Sequence, residues 1–169
     1  ERIAMLAPSN PRWIEEPIAA DHDPPEWAAL SEAVPVPLAA GENLRGVQAF
    51  DALLASGALG FVQPDVGKWG GFSGCREVAR HAAGLGACYC PHWLGGPLGL
   101  LASMHLRAAM GDDGWVEWDA NPNPIHDRVS GQLPVVLEGR ISLSDAPGLG
   151  VALHIEDFDP LVQWQGTAS

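Results

Sequence analysis

The amino-acid sequence predicts an α/β chain built on a parallel sheet. Three observations carry that expectation. Short apolar runs alternate with helical stretches. Gly and Pro, 20 and 15 in 169 residues, punctuate the joins and do not gather into a linker. A polar residue able to bind a metal or move a proton closes each apolar run. Strand followed by helix, repeated, is the pattern of parallel βα units.

Each element has a local reason. Arg12-Trp13-Ile14 is the first run, closed by Glu15-Glu16-Pro17. Asp23 is the N-cap of a helix over 26–33, with Pro24 and Pro25 in its first turn. The second run, Val36 to Ala40, closes at Gly41-Glu42-Asn43; its helix runs over 47–56 and stops at Gly57. Leu59 to Gln63 is the third run, closed by Pro64-Asp65, and a helix over 74–83 follows with Ser73 as its cap. The fourth run, Ala87 to Cys90, ends at Pro91-His92 and leads into an apolar helix over 97–110, stopped by Gly111. Trp115-Val116 is the fifth, ending at Glu117-Trp118-Asp119. From Pro134 onward the pattern changes. Val135-Val136-Leu137, Ile141-Ser142-Leu143 and Val151-Ala152-Leu153 read as short β-segments around Gly-rich turns, and residues 165–169 as a frayed end. The expected organisation is therefore residues 1–133 as five βα units and residues 134–169 as a β-containing C-terminal extension.

Composition narrows the partners. Hydrophobic residues at 47% and charged residues at 18% give a chain able to bury a core. Nine Lys+Arg against 21 Asp+Glu leave a net charge of −12, which excludes nucleic acid and anionic membrane as expected partners. No apolar window is long enough to span a bilayer. Cys75, Cys88 and Cys90 are too few for a disulfide framework and read as buried small hydrophobes, so a reducing, cytoplasmic setting is expected.

The residues closing the runs are Glu15, Glu42, Asp65, His92 and Glu117, at intervals of 27, 23, 27 and 25 residues. That spacing is one strand-loop-helix-loop unit each time, and polar groups at the C-terminal ends of successive parallel strands form the active site of a (β/α)8 barrel. Strand parity agrees: Cys88 and Cys90 lie under His92, Trp13 under Glu15, Leu38 and Ala40 under Glu42, Phe61 and Gln63 under Asp65, and Trp115 under Glu117. Glu15 and Glu42, on adjacent strands, offer hard oxygens to a divalent cation such as Mg²⁺, with Mn²⁺ as the alternative. Asp65 and His92 suit a dyad in which the carboxylate fixes the imidazole tautomer. Glu117, crowded by anions, is expected to stay protonated and donate a hydrogen bond. Asn43, Trp93 and His22 follow site residues and are candidate substrate contacts. Lys68 reads as a structural or ion-pairing residue.

Trp13-Ile14-Glu15-Glu16-Pro17, Gly41-Glu42-Asn43, Gln63-Pro64-Asp65 with Gly70-Gly71, Pro91-His92 and Val116-Glu117, in that order, resemble the enolase superfamily. The Asp-His pair makes the mandelate racemase type the most similar subgroup, and Pro147-Gly148-Leu149-Gly150-Val151 is similar to its C-terminal region. The resemblance implies a Mg²⁺-dependent enzyme that removes the proton α to a carboxylate. Glu15 and Glu42 match the second and third metal ligands, His92 with Asp65 the base, and Glu117 the acid that hydrogen-bonds the enediolate. A small carboxylate is the implied substrate, and the intact protein is expected to be a homo-oligomer. The resemblance also implies an Asp ligand, a Lys-x-Lys element and a capping domain that have no counterpart here. A full barrel takes ~250 residues, so this chain is expected to be the C-terminal half of a longer enzyme. Dehydration of an acid sugar is the leading activity. Racemisation of a 2-hydroxy acid is the alternative within that class, and an inactive fragment or interaction module the alternative outside it.

Overall fold

The computed structural model describes residues 2–111, 114–129, 133–152, 154, 156 and 158. Four strands carry the site: β1 (Ile14–Glu15), β2 (Leu38–Ala40), β3 (Leu59–Val62) and β4 (Cys88–Tyr89). They form one parallel sheet in sequential order, β1-β2-β3-β4. The connections are α2 (Pro24–Glu32), α3 (Val47–Ala55) and α4 (Gly71–Gly84), with α5 (Pro97–Ala109) after β4. A short α1 (Arg2–Leu6) and a 3-10 turn over Ala7–Ser9 precede β1.

The helices form where the sequence places them, with adjusted starts. At α2 the Glu26 carboxylate accepts the Asp23 backbone N–H at 3.1 Å, which closes the helix start. The α4 helix begins at Gly71, not at Gly74: Gly70 takes a left-handed conformation and serves as the cap in place of Ser73. One face of the sheet is covered by these helices. Trp27, Phe50, Leu53, Leu54, Val78 and Leu106 meet Leu38, Ala40, Val62 and Tyr89 there. Trp27 is fully buried, and removing a large buried aromatic from such a core costs about 3–5 kcal/mol. The opposite face is a smaller apolar layer of Trp13, Ala39, Phe61, Cys88 and Cys90. Trp13 packs on Phe61 with ring centroids 4.8 Å apart, and Arg12 lies over the same ring.

The inner layer corrects the parity expected for the second run. Ala39 faces inward, while Leu38 and Ala40 face the helices. Two local departures from a regular strand explain it. The β2–β3 register skips Gly60, so that Ala39 opposes Phe61. Gly41 then leaves the strand with φ of 144°, and a Cβ there would lie 2.8 Å from the Gln63 backbone nitrogen. Counting back from Glu42 in steps of two therefore lands on the wrong face. The other strands keep their expected parity.

The fifth run is a second correction. Trp115, Val116 and Glu117 lie outside any strand, and among the described residues the sheet ends at β4. A strand exists only where a neighbour pairs with it. Trp115 nonetheless reaches the inner layer, edge-on to Trp13 at 6.2 Å. A short α6 (Pro124–Val129), not foreseen from the sequence, follows. In the C-terminal extension β5 (Val136–Leu137) and β6 (Arg140–Ile141) pair as an antiparallel hairpin. Val151 and Ala152 lie outside any strand, and Leu153 and residues 165–169 lie outside the described residues. Leu133 and, from the extension, Ile141, Leu143, Leu149 and Val151 pack against Leu100, Leu101 and Met104 of α5. No described helix is long and apolar enough to cross a membrane.

Candidate active site

The site forms at the C-terminal ends of the strands, where the extended backbone stops and side chains turn over the inner layer. Asp65 and His92 follow β3 and β4 by a few residues, and both are buried. His92 Nδ1 donates to Asp65 Oδ2 at 2.8 Å. A carboxylate only accepts, so this bond places a proton on Nδ1, and Nε2 points into the site. Asp65 is itself held: its Oδ1 accepts the backbone N–H of Gly67 at 2.7 Å and of Lys68 at 3.0 Å. The dyad is thereby fixed on one side by backbone that cannot rotate.

Nε2 faces two carboxylates. It contacts Glu42 Oε2 directly and lies 3.7 Å from Glu117 Oε2. Glu117 accepts the backbone N–H of Trp93 at 3.0 Å. Its carboxyl is held above the ordinary glutamate range, mainly by burial and secondarily by Glu15 and Glu42; the Trp93 N–H and His92 oppose the shift. The expectation of a protonated Glu117 rested on crowding by anions. The direction agrees, and burial is the larger cause.

Glu42 is the hub of the cluster. Its Oε2 also meets Lys68 Nζ at 3.2 Å, and its Oε1 accepts from Asn43 at 2.8 Å. Asn43 reaches across to Glu16 Oε2 at 2.7 Å and so ties the loops after β1 and β2 together. Glu15 stands on the far side, where its Oε2 accepts from Gln63 at 2.8 Å and from Trp13 Nε1 at 3.4 Å. Gln63 is 2% exposed, and its amide oxygen has no partner among the described residues.

Glu15 and Glu42 fit a divalent cation in the kind of donor they offer. Both present hard oxygens on adjacent strands, and Glu42 already holds the Lys68 ammonium as a stand-in cation. They are two, however. Among the described residues no three His, Cys, Asp or Glu converge as a metal set.

With that geometry in view, residues 1–158 match the family model described as enolase C-terminal domain-like. The chain belongs to that family. Within it, the sequence is 31% identical to a D-galactonate dehydratase of Ralstonia nicotianae, over 96% of this chain and 45% of the relative. It is 29% identical to a D-galactarolactone cycloisomerase of Agrobacterium fabrum, over 84% of this chain and 39% of the relative. The structure superposes with a TM-score of 0.88 on a mandelate racemase/muconate lactonizing enzyme from Bordetella bronchiseptica, at 46% identity over 95% of this chain and 45% of the other. This enolase C-terminal domain-like chain thus spans less than half the length of the relatives it matches.

The structure brings together Asp65, His92, Glu42 and Glu117, while Glu15 bonds to Gln63 and Trp13. It does not bring His22 to them; Nδ1 of His22 pairs with Glu26 at the start of α2, 3.1 Å away. The Trp93 indole donates from Nε1 to Gly96 O at 2.8 Å, while its backbone serves Glu117. Lys68 is an ion-pairing residue, as expected. Gln63 was legible only as the one polar side chain of the inner set; its step of two from Asp65 puts it beneath the site. Glu16 carried no signal of its own. Cys75 and Cys90 are buried, and burial pushes both thiols up to about 12, so they are inert packing residues.

Proposed function

We propose that this chain is a sector of a (β/α)8 barrel that carries the proton-transfer machinery of an acid-sugar dehydratase. The observation that carries this reading is the Asp65–His92 dyad, with Nε2 directed at the carboxylates. Two named relatives, a dehydratase of D-galactonate and a cycloisomerase of D-galactarolactone, support an acid-sugar substrate.

In this reading His92 Nε2 accepts the proton α to the substrate carboxylate, and Asp65 stabilises the imidazolium through Nδ1. The electron pair of the broken C–H bond moves into the carboxylate and gives an enediolate. Glu117, protonated, donates a hydrogen bond to the developing charge. Collapse of the enediolate breaks the β-carbon–oxygen bond; the hydroxyl takes the proton back from the His92 imidazolium and leaves as water, and the enol tautomerises to a 2-keto acid. An anionic substrate approaching Glu15, Glu42 and Asp65 meets repulsion, and two unit charges ~4 Å apart repel by about 4 kcal/mol at an effective dielectric constant of ~20. A divalent cation held by Glu15 and Glu42 would supply the opposing positive charge, with waters and substrate oxygens completing its shell.

Racemisation would need a second base on the opposite face of the substrate; the similarity to a D-galactonate dehydratase supports elimination as the first reading. The test is product analysis with aldonates and aldarates, using the natural protein at its full length. Formation of a 2-keto acid with release of water is expected. Formation of an epimer with the hydroxyl retained would replace the dehydratase reading with the racemase one.

A further inference from the structure

Trp93 holds a position that the proton-transfer scheme does not use. Its indole is wedged into a cradle of three glycines drawn from different segments. A Cβ on Gly67 would lie 2.7 Å from the indole, one on Gly95 3.1 Å and one on Gly99 2.0 Å. Gly67 and Gly99 tolerate no side chain with the ring in place, and at Gly95 the ring would have to give by a few tenths of an ångström. The indole Nε1 adds a bond to Gly96 O at 2.8 Å, and the ring also packs against the apolar layer of α5. The three contacts differ in kind. Gly67 belongs to the loop whose N–H orients Asp65 Oδ1 at 2.7 Å. Gly95 and Gly96 belong to the loop that carries His92. Gly99 belongs to the first turn of α5.

The geometry points to Trp93 as a positioning residue for the whole proton-transfer set; this inference rests on the function proposed above. One side chain braces the loop that aims Asp65 against the loop that carries His92. Its own backbone N–H holds the Glu117 carboxylate at 3.0 Å. Because Glu117 comes from a segment with no strand ladder, that N–H is the bond that anchors its Oε2 beside His92. Trp93 therefore acts through Asp65, His92 and Glu117, and not by touching substrate.

Two variants test this, Trp93→Ala and Trp93→Phe, in the full-length natural protein with the fold checked by circular dichroism. The first readout needs no activity: amide hydrogen exchange at residues 67 and 93, with the α4 core amides as reference. In Trp93→Ala both site amides lose protection together, although they are far apart in sequence, while the α4 amides do not change. Trp93→Phe, which keeps most of the wedge, falls between. The second readout is α-proton exchange, where kcat falls about 100-fold, the scale of a misplacement of ~1 Å, and KM stays near its original value. Unchanged protection at 67 and 93 in folded Trp93→Ala overturns the proposal. So does a raised KM with kcat intact, which would make Trp93 a substrate contact. If the unaltered protein exchanges no α-proton, the dehydratase reading fails, and the amide readout still decides whether Trp93 braces the loops.

Discussion

At Glu117 the chain sets burial against hydrogen bonding, and burial prevails. The carboxyl is raised above its ordinary value of 4.5 even though it accepts a backbone N–H and faces an imidazole. A carboxyl raised in the folded state binds more protons folded than unfolded between the ordinary and the raised value. Across that window stability falls as pH rises, and above it the loss persists. The stability difference between the unaltered protein and Glu117→Gln should therefore decline as pH climbs from about 4.5, measured by urea denaturation at a series of pH values. A flat difference would remove Glu117 as the proton-holding partner of His92. At this scale the sequence was informative where a residue type and a strand parity coincide, as at His92 with Cys88 and Cys90 beneath it. It offered Trp93 only as a substrate contact and was silent on its glycine cradle, which is assembled from segments up to 32 residues apart. It offered His22 as a substrate contact, and the structure pairs His22 with Glu26, one helical turn away.

The elements position these residues by leaving regular structure at chosen points. Gly41 is the plainest case: its φ of 144° lifts Glu42 off the β2 pleat and over the inner layer, where it meets His92. Gly41→Ala places a Cβ against the Gln63 backbone, so it should destabilise the protein by more than about 1 kcal/mol. It should also disturb Glu15 through Gln63. Equal unfolding midpoints for the variant and the original chain would contradict this. The four strands and their connecting helices were readable because turn residues bracket every run. The absence of a fifth ladder was not readable. The apolar alternation at Trp115-Val116-Glu117 is strand-like, but pairing depends on a neighbour that no local pattern specifies. The left-handed start of α4 at Gly70 was hidden for a related reason. Ser73 is a good cap by type, yet the Trp69 ring packed on Gly74 commits the helix earlier.

Across the whole molecule the electrostatics follow one theme. A net charge of −12 accompanies a site built from carboxylates, where the Lys68 ammonium meets Glu42. Such a site favours a cation before it favours an anionic substrate, which is the physical argument for placing a divalent ion at Glu15 and Glu42. The inner layer beneath it is apolar apart from Gln63. The measurement that tests the account most directly is deuterium incorporation at the α-carbon of acid sugars in D₂O with Mg²⁺, comparing the natural protein at full length with His92→Asn. Exchange by the unaltered protein and its loss in His92→Asn is the predicted result. Equal exchange in both would contradict the dyad and the function built on it.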